Sequence, residues 1–277
     1  MKINFMGTAA YERIPSIFCN CPACEYARKH KGKNIRTQTQ TLINDDLLID
    51  FGMDNYYHDI KSGFKFSKVQ NILITHSHED HFALEELRMR DESGSKNVFC
   101  ENLNIYGGVG SQELFDSKTT HKCTFNLMEK FVPYNVGKYK VIAFPARHGT
   151  IDPLTYLISD GQKTIYYCLD SWYPNEEVYE FIKEKAIKID LVICDCTYSI
   201  RDIEDDGGHH MSLKNNFVHR ERLINAGAIN QNTTWVVTHF THNSMHKDGK
   251  AVSFRELNKI CKKNKMKLAY DGYILNV

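Results

Sequence analysis

The sequence lacks any apolar run approaching the roughly 20 residues that cross a bilayer. Its first stretch, MKINFMGTAAYERIP, has one lysine and a short apolar patch that breaks at Gly7, too brief for the core of a secretion signal. A soluble, cytoplasmic protein without membrane contact is expected. An excess of either charge is missing too, with 35 Lys+Arg against 34 Asp+Glu. No global field therefore draws the chain to nucleic acid or to an anionic surface, and extended nucleic-acid binding is not expected. Linkers, low-complexity tracts and internal repeats are also absent. Residues 1–277 read as one domain, because sandwiches and barrels of roughly 200–250 residues are commonly single units.

What is present is a succession of short strands with a few helices between them. KINFM alternates as a strand, and TLINDDLLIDFG reads as a hairpin turning at Asn44-Asp45 and closing at Asp50 and Gly52. VQNILITH is a strand; EDHFALEELRMR then has helical spacing at Phe82, Leu84, Leu87 and Met89. LNIYGG is another strand, with Ser111 expected to cap a short helix after it. Strands follow in KYKVIAFPARHG, LTYLISDGQKTIYYCLDS, DLVICDCTYS and TTWVVTHF, and helices in NEEVYEFIKEKAIK and SLKNNFVHRERLINA, before a terminal helix and strand. This order predicts an α/β (α+β) chain with two sheets face to face and helices on both outer surfaces.

The nine residues ITHSHEDHF hold His76, His78, Asp80 and His81 at the end of an apolar strand. His76 and His78, two apart, point the same way in extended backbone. Asp80 and His81 fall in the following turn. Further on, His148, Asp170 and His239 each end an apolar strand. Strand ends on one edge of a sheet converge, so a shared pocket is expected. One histidine at a strand end is ordinarily just a hydrogen-bonded side chain, but several imidazoles and carboxylates buried together are costly without a partner. Metal ligation supplies that partner.

Nine cysteines are unevenly spread: Cys19, Cys21 and Cys24 cluster in FCNCPACEYAR, in a loop broken by Pro22, while the others lie in apolar segments. In a reducing compartment a cluster favours metal and scattered thiols favour the core. A closed zinc site needs four ligands, and His242, three residues after His239, is the candidate fourth.

THSHEDH resembles the His-x-His-x-Asp-His motif of the metallo-β-lactamase superfamily, and the later order His148, Asp170, His239, with Asp50 closing the early hairpin, is similar to that superfamily's pattern along nearly the whole chain. The resemblance implies a four-layer αββα sandwich with two divalent ions. His76, His78 and His148 would hold one, Asp80, His81 and His239 the other, and Asp170 would bridge them, with Asp50 steadying the histidine loop. Ligand type does not choose among zinc, manganese, nickel and iron. The phrase GTAAYERIPSIFCNCPACEYAR is similar to the phosphodiesterase family of the carbon–phosphorus lyase pathway, which opens phosphoribosyl cyclic phosphate; it implies one structural zinc on Cys19, Cys21, Cys24 and His242. In GGHHMSL, His210 matches that family's histidine just before a helix that Ser212 would cap. Asp80 and His210 are thereby marked as catalytic, with His209 in that role as the open alternative.

Plainer readings hold elsewhere. Period two puts the Cys194 and Cys196 thiols on the core face and Asp195 on the other, as a support behind the pocket rather than part of another metal site. Trp172 and Tyr173 either stack on a ligand or form a wall. His30, His58, His121, His219 and His246 read as surface residues, and RKHKGKNIR as a solvated basic loop. The expected activity is hydrolysis of a small anionic phosphodiester, a cyclic phosphate or nucleotide-like diester, by a metal-bound hydroxide. Lactonase and thioesterase chemistry on the same scaffold are alternatives, as is transfer-RNA 3′ processing, which would want a protruding basic or glycine-rich arm not seen in the sequence. A non-catalytic metal-stabilised binder is a third class. The exact substrate, the metals and homodimerisation stay open.

Overall fold

Apolar side chains occupy both faces of the strands, so each sheet has to be covered twice. The computed structural model describes residues 1–90, 94–96, 98–117, 122–204, 208–243 and 245–277. Its first half runs β1 (Lys2–Gly7), α1 (Pro22–His30), β2 (Gln40–Ile43), β3 (Leu47–Ile49), α2 (Asn55–Ser62), β4 (Asn71–Leu73), β5 (Leu103–Gly107), α3 (Val109–Asp116) and β6 (Cys123–Leu127). The second runs β7 (Pro133–Val136), β8 (Tyr139–Pro145), β9 (Leu154–Ser159), β10 (Thr164–Cys168), α4 (Glu176–Glu184), β11 (Leu191–Asp195), α5 (Leu213–Asn225), β12 (Thr234–Thr238), α6 (Phe254–Lys263), β13 (Lys267–Leu268) and β14 (Tyr273–Asn276). One sheet has the order β14-β1-β2-β3-β4-β5-β6 and the other β13-β12-β11-β10-β9-β8-β7.

Alternation along each strand sorts side chains between three cores. Ile165, Tyr167, Leu191 and Ile193 face inward and meet Ile3, Phe5, Ile43 and Ile49 of the opposite sheet. Their neighbours Tyr166, Cys168, Val192 and Cys194 face outward, under Val178 and Ile182 of α4, Leu223 of α5 and Leu257 of α6. On the first sheet Leu42, Leu48, Ile72 and Ile105 face outward beneath Leu84 and Leu87, with Leu114 and Phe115 of α3 packed alongside. The result is the four-layer αββα sandwich. The β2–β3 hairpin turns through Asn44 and Asp45, both at positive φ (48° and 61°), the geometry that brings tightly paired strands together.

Several local expectations are corrected. The segment after the histidine motif forms a 3₁₀ helix, Leu84–Arg90. A bridge between Phe51 and Phe82 pins its start to the sheet, and Leu84 and Leu87 still reach the core. Ser111 lies inside α3; Gly108 is the N-cap, and the Val109 amide donates to Asp152 Oδ2 at 3.0 Å, a cap supplied by a distant loop. Pro22 opens α1 instead of breaking a loop, a first-turn position where its missing N–H costs nothing. Arg36, at the end of the basic run, is buried: it donates to the Thr8 hydroxyl and the Ala269 carbonyl and lies 4.5 Å over the Phe240 ring. His219 and His58 are also buried. His58 Nδ1 donates to Gln40 Oε1 at 2.8 Å and its Nε2 pairs with the Thr37 hydroxyl. His121 lies outside the described residues.

Two predictions follow from this packing. At Gly52 an added Cβ would lie 2.1 Å from the Asp80 carbonyl oxygen, so Gly52→Ala has to push the histidine loop away; denaturant unfolding is expected to show a loss of about 1–3 kcal/mol. Burial lowers His58 to about 4, below the unfolded value of roughly 6.5. Its contribution to stability is therefore complete above the unfolded value and is lost as pH falls toward the folded one. Between pH 7 and pH 5 the wild type should lose about 2 kcal/mol more than His58→Gln; equal losses would contradict this.

Candidate metal centre

β4 ends at Leu73 and β11 at Asp195, and a buried carboxylate organises the turn beyond each. Asp50 Oδ1 accepts the Thr75 amide at 2.8 Å and the Thr75 hydroxyl at 2.9 Å, while His81 Nδ1 donates to Asp50 Oδ2 at 2.8 Å. With the hydroxyl proton committed to Asp50, His76 Nδ1 donates to that same hydroxyl across 3.0 Å. On the other sheet Asp195 accepts the Thr197 amide at 3.0 Å and its hydroxyl at 2.9 Å, and His239 Nδ1 donates to the hydroxyl at 2.7 Å. In the neutral imidazoles this hydrogen-bond polarity puts the proton on Nδ1 and leaves Nε2 of His76, His81 and His239 as the lone-pair nitrogen.

Those lone pairs converge. His76 Nε2 and His148 Nε2 lie 2.9 Å and 3.2 Å from His78 Nδ1, and His76 Nε2 lies 3.2 Å from Asp170 Oδ2. His81 Nε2 lies 3.2 Å from Asp80 Oδ2 and 3.0 Å from Asp170 Oδ2, with His239 Nε2 3.7 Å from the latter. Two groups result, His76–His78–His148–Asp170 and Asp80–His81–Asp170–His239, each able to bring four donor atoms within 4.8 Å of one another. Asp170 belongs to both. The donors come from the ends of strands in both sheets, not from one sheet edge as expected.

The donor set fits divalent cations. Despite these approaches, His81 Nε2 and His239 Nε2 are buried and make no hydrogen bond among the described residues, a costly condition that a cation relieves. Burial opposes ionisation of Asp170, yet His239, His148 and His210 hold its carboxyl well below the usual range. At Asp80 burial is outweighed by His81, and at Asp195 by His210 and His239; both carboxyls fall to about 2. Burial presses His76 down to about 3 and His148 to about 4. Ionised carboxylates and neutral imidazoles are the ligating forms. Against burial, Asp80 and Asp50 raise His81 well above its usual value, and Asp170 and Asp195 raise His210 to about 11. Asp50, Asp170 and His239 also take left-handed backbone, φ 64°, 50° and 64°, sparsely populated by such residues and concentrated here at one site.

His210 Nδ1 lies 3.0 Å from Asp170 Oδ1 and 3.2 Å from Asp195 Oδ2. His209 sits further out, edge-on to the His148 ring with centroids 5.7 Å apart. Ser212 opens α5, its amide donating to Asn215 Oδ1. Cys194 and Cys196 are fully buried in the outer core behind Asp195. At the surface, Cys21 and Cys24 Sγ lie 3.4 Å and 3.3 Å from His242 Nδ1, and Cys19 completes a four-donor group. Arg28 ties down that loop by donating to the Cys19 and Ser16 carbonyls.

A cavity of about 690 Å³ opens over the centre, with His78, Asp80, Asp170 and His210 lining it. Its walls include Tyr11, Glu12, Glu79, Tyr198, Arg201 and Asn243, none singled out by the sequence reading. The clue for Tyr198 and Arg201 was proximity, since both closely follow Asp195 in DCTYSIR. Thr75, directly before His76, and Thr197 were missed in the same way. Trp172 is buried in the core against Tyr173, ring centroids 5.1 Å apart, which makes the pair a wall rather than a stacking platform.

A ribonuclease Z of Listeria welshimeri is 28% identical over 161 residues, covering 54% of this chain and 46% of that protein. The chain thus spans about half the length of the curated relatives it matches. Among solved structures, a diphosphatase from the PhnP family superposes with a TM-score of 0.72 at 17% identity, covering 100% of this chain and 97% of the other. The short form of human tRNase Z gives 0.64 at 17% identity, covering 100% and 99%. At such identities the likeness is one of fold. Residues 47–240, more than half the chain, match the family model described as Beta-lactamase superfamily domain, and the protein belongs to that family.

Proposed function

We propose that the protein is a metal-dependent hydrolase of phosphodiesters, acting on a small cyclic phosphate or nucleotide-like diester. One observation carries the reading: two donor sets sharing Asp170 meet at an open cavity with His210 beside them. His76, His78 and His148 would hold one divalent ion and Asp80, His81 and His239 the other, with Asp170 between; Cys19, Cys21, Cys24 and His242 would hold a structural zinc. When bound, such an ion pair supplies an activated water at neutral pH and neutralises phosphoryl charge.

The side chains do the rest. Asp50 and Asp195, through Thr75 and Thr197, fix the direction of the ligand nitrogens. His210, kept charged by Asp170 and Asp195, is placed to hydrogen-bond a phosphoryl oxygen or protonate the leaving oxygen. A cavity of about 690 Å³ matches a nucleotide-sized ligand. The identity to ribonuclease Z favours a second reading on the same chemistry, hydrolysis of a phosphodiester near a transfer-RNA 3′ end.

Two measurements test these readings. Full-length protein loaded with zinc or manganese should turn over cyclic nucleotides, phosphoribosyl cyclic phosphate or linear diesters. Cleavage of 3′-extended precursor transfer RNA with no small diester turned over would move the assignment to the second reading, and turnover of lactones or thioesters alone would defeat both. Asp195→Asn leaves Thr197, His239 and His210 without their anion, so metal affinity by competition titration, or turnover, should fall roughly 10–100-fold. Values unchanged from wild type would show that Asp195 plays no part in orienting the centre.

A further inference from the structure

The outer face of the second sheet buries another set of soft donors, behind the candidate metal centre and separate from it. Cys168 and Cys194 are register partners on the parallel strands β10 and β11, their sulfurs 3.0 Å apart. His219 reaches them from α5, with Nε2 3.6 Å from Cys168 Sγ. All three are at most 1% exposed, and their donor atoms lie within 4.8 Å of one another. The other imidazole nitrogen, Nδ1, pairs with the Tyr179 hydroxyl at 2.6 Å. Tyr166, Tyr179 and Trp235 surround the ring, with centroids 5.9, 5.7 and 5.6 Å away. An imidazole locked by aromatic walls, with one nitrogen on a polar partner and the other aimed at two thiols, is oriented as metal-binding histidines are.

We propose that Cys168, Cys194 and His219 form a further metal site, for a thiophilic closed-shell ion, Zn(II) or Cu(I). Bonds of about 2.0–2.3 Å in a three-coordinate arrangement place donors roughly 3.5–4 Å apart. The Nε2–Sγ spacing of 3.6 Å already meets this, and the sulfurs have to part by about an ångström through rotation of their side chains. Each thiol that ligates gives its proton to solvent. Two thiolates with a neutral imidazole balance a divalent ion and leave the apolar core uncharged, whereas the same donors on Cu(I) carry one net negative charge, so the divalent ion is the better fit. With all three donors closed off from solvent, the ion enters as the chain folds. The ion would pin β10 to β11 just behind Asp170 and Asp195.

The test uses full-length protein produced in zinc- or copper-supplemented medium and purified under reducing, oxygen-free conditions. Metal per chain is measured for wild type, Cys194→Ala, the volume-conserving Cys168→Val, and Cys19→Ser/Cys21→Ser as a control that silences the surface cluster. The proposal expects Cys194→Ala and Cys168→Val each to lose one equivalent, in the zinc arm or the copper arm, beyond any lost in the surface-cluster control. X-ray absorption of that control should still show sulfur neighbours around the retained ion. Wild-type metal content in a folded core variant in both arms, or no sulfur signal in the control, overturns the proposal and leaves a hydrogen-bonded thiol pair.

Discussion

Two carboxylates with no access to solvent, Asp50 and Asp195, each have to be satisfied from within, and the candidate centre takes its shape from how that is done. Each takes a threonine amide and hydroxyl from the turn beyond its own sheet, and the threonine oxygen then accepts a histidine proton. The two sheets carry the same device on facing turns. Because a hydroxyl has one proton to give, His76 and His239 donate from Nδ1, and in their neutral forms that fixes the tautomer. The inward lone pairs are a consequence of burial and valence, whatever later occupies the space between them.

This explains why much of the centre was legible and the rest was not. Three histidines and an aspartate within His76–His81 cannot be ordinary packing, and Asp170, His148 and His239 follow apolar strands that alternate plainly. Those are local patterns, and the αββα layering follows from the same alternation. What escaped depends on partners remote in the chain. Arg36 reads as part of a basic loop until Phe240 and Ala269, some two hundred residues later, close over it. His219 looks like an exposed helical residue until Tyr179 and Trp235 enclose it, and His58 until Gln40 meets it from a neighbouring strand. The cap of α3 comes from Asp152 rather than from the serine nearby.

Membership of the β-lactamase superfamily sets the scaffold but leaves the chemistry to the residues around the cavity. Tyr11, Glu12, Tyr198 and Arg201 stand on segments that follow strands or precede helices, where side chains can change without disturbing the sheets. The strained positions lie deeper. Left-handed backbone at Asp50, Asp170 and His239 is held by the buried bonds around them, so the centre is shaped before any ligand arrives.

The segment from His239 to His242 joins the cavity to the surface. His239 faces Asp170, Phe240 bridges to Ala9, the Thr241 hydroxyl donates to Glu12 on the cavity wall, and His242 meets the cysteines. Four consecutive residues act as a short lever with one arm in each site. The backbone of this stretch is thus fixed from both ends, by the cavity wall through Glu12 and by the thiol cluster through His242.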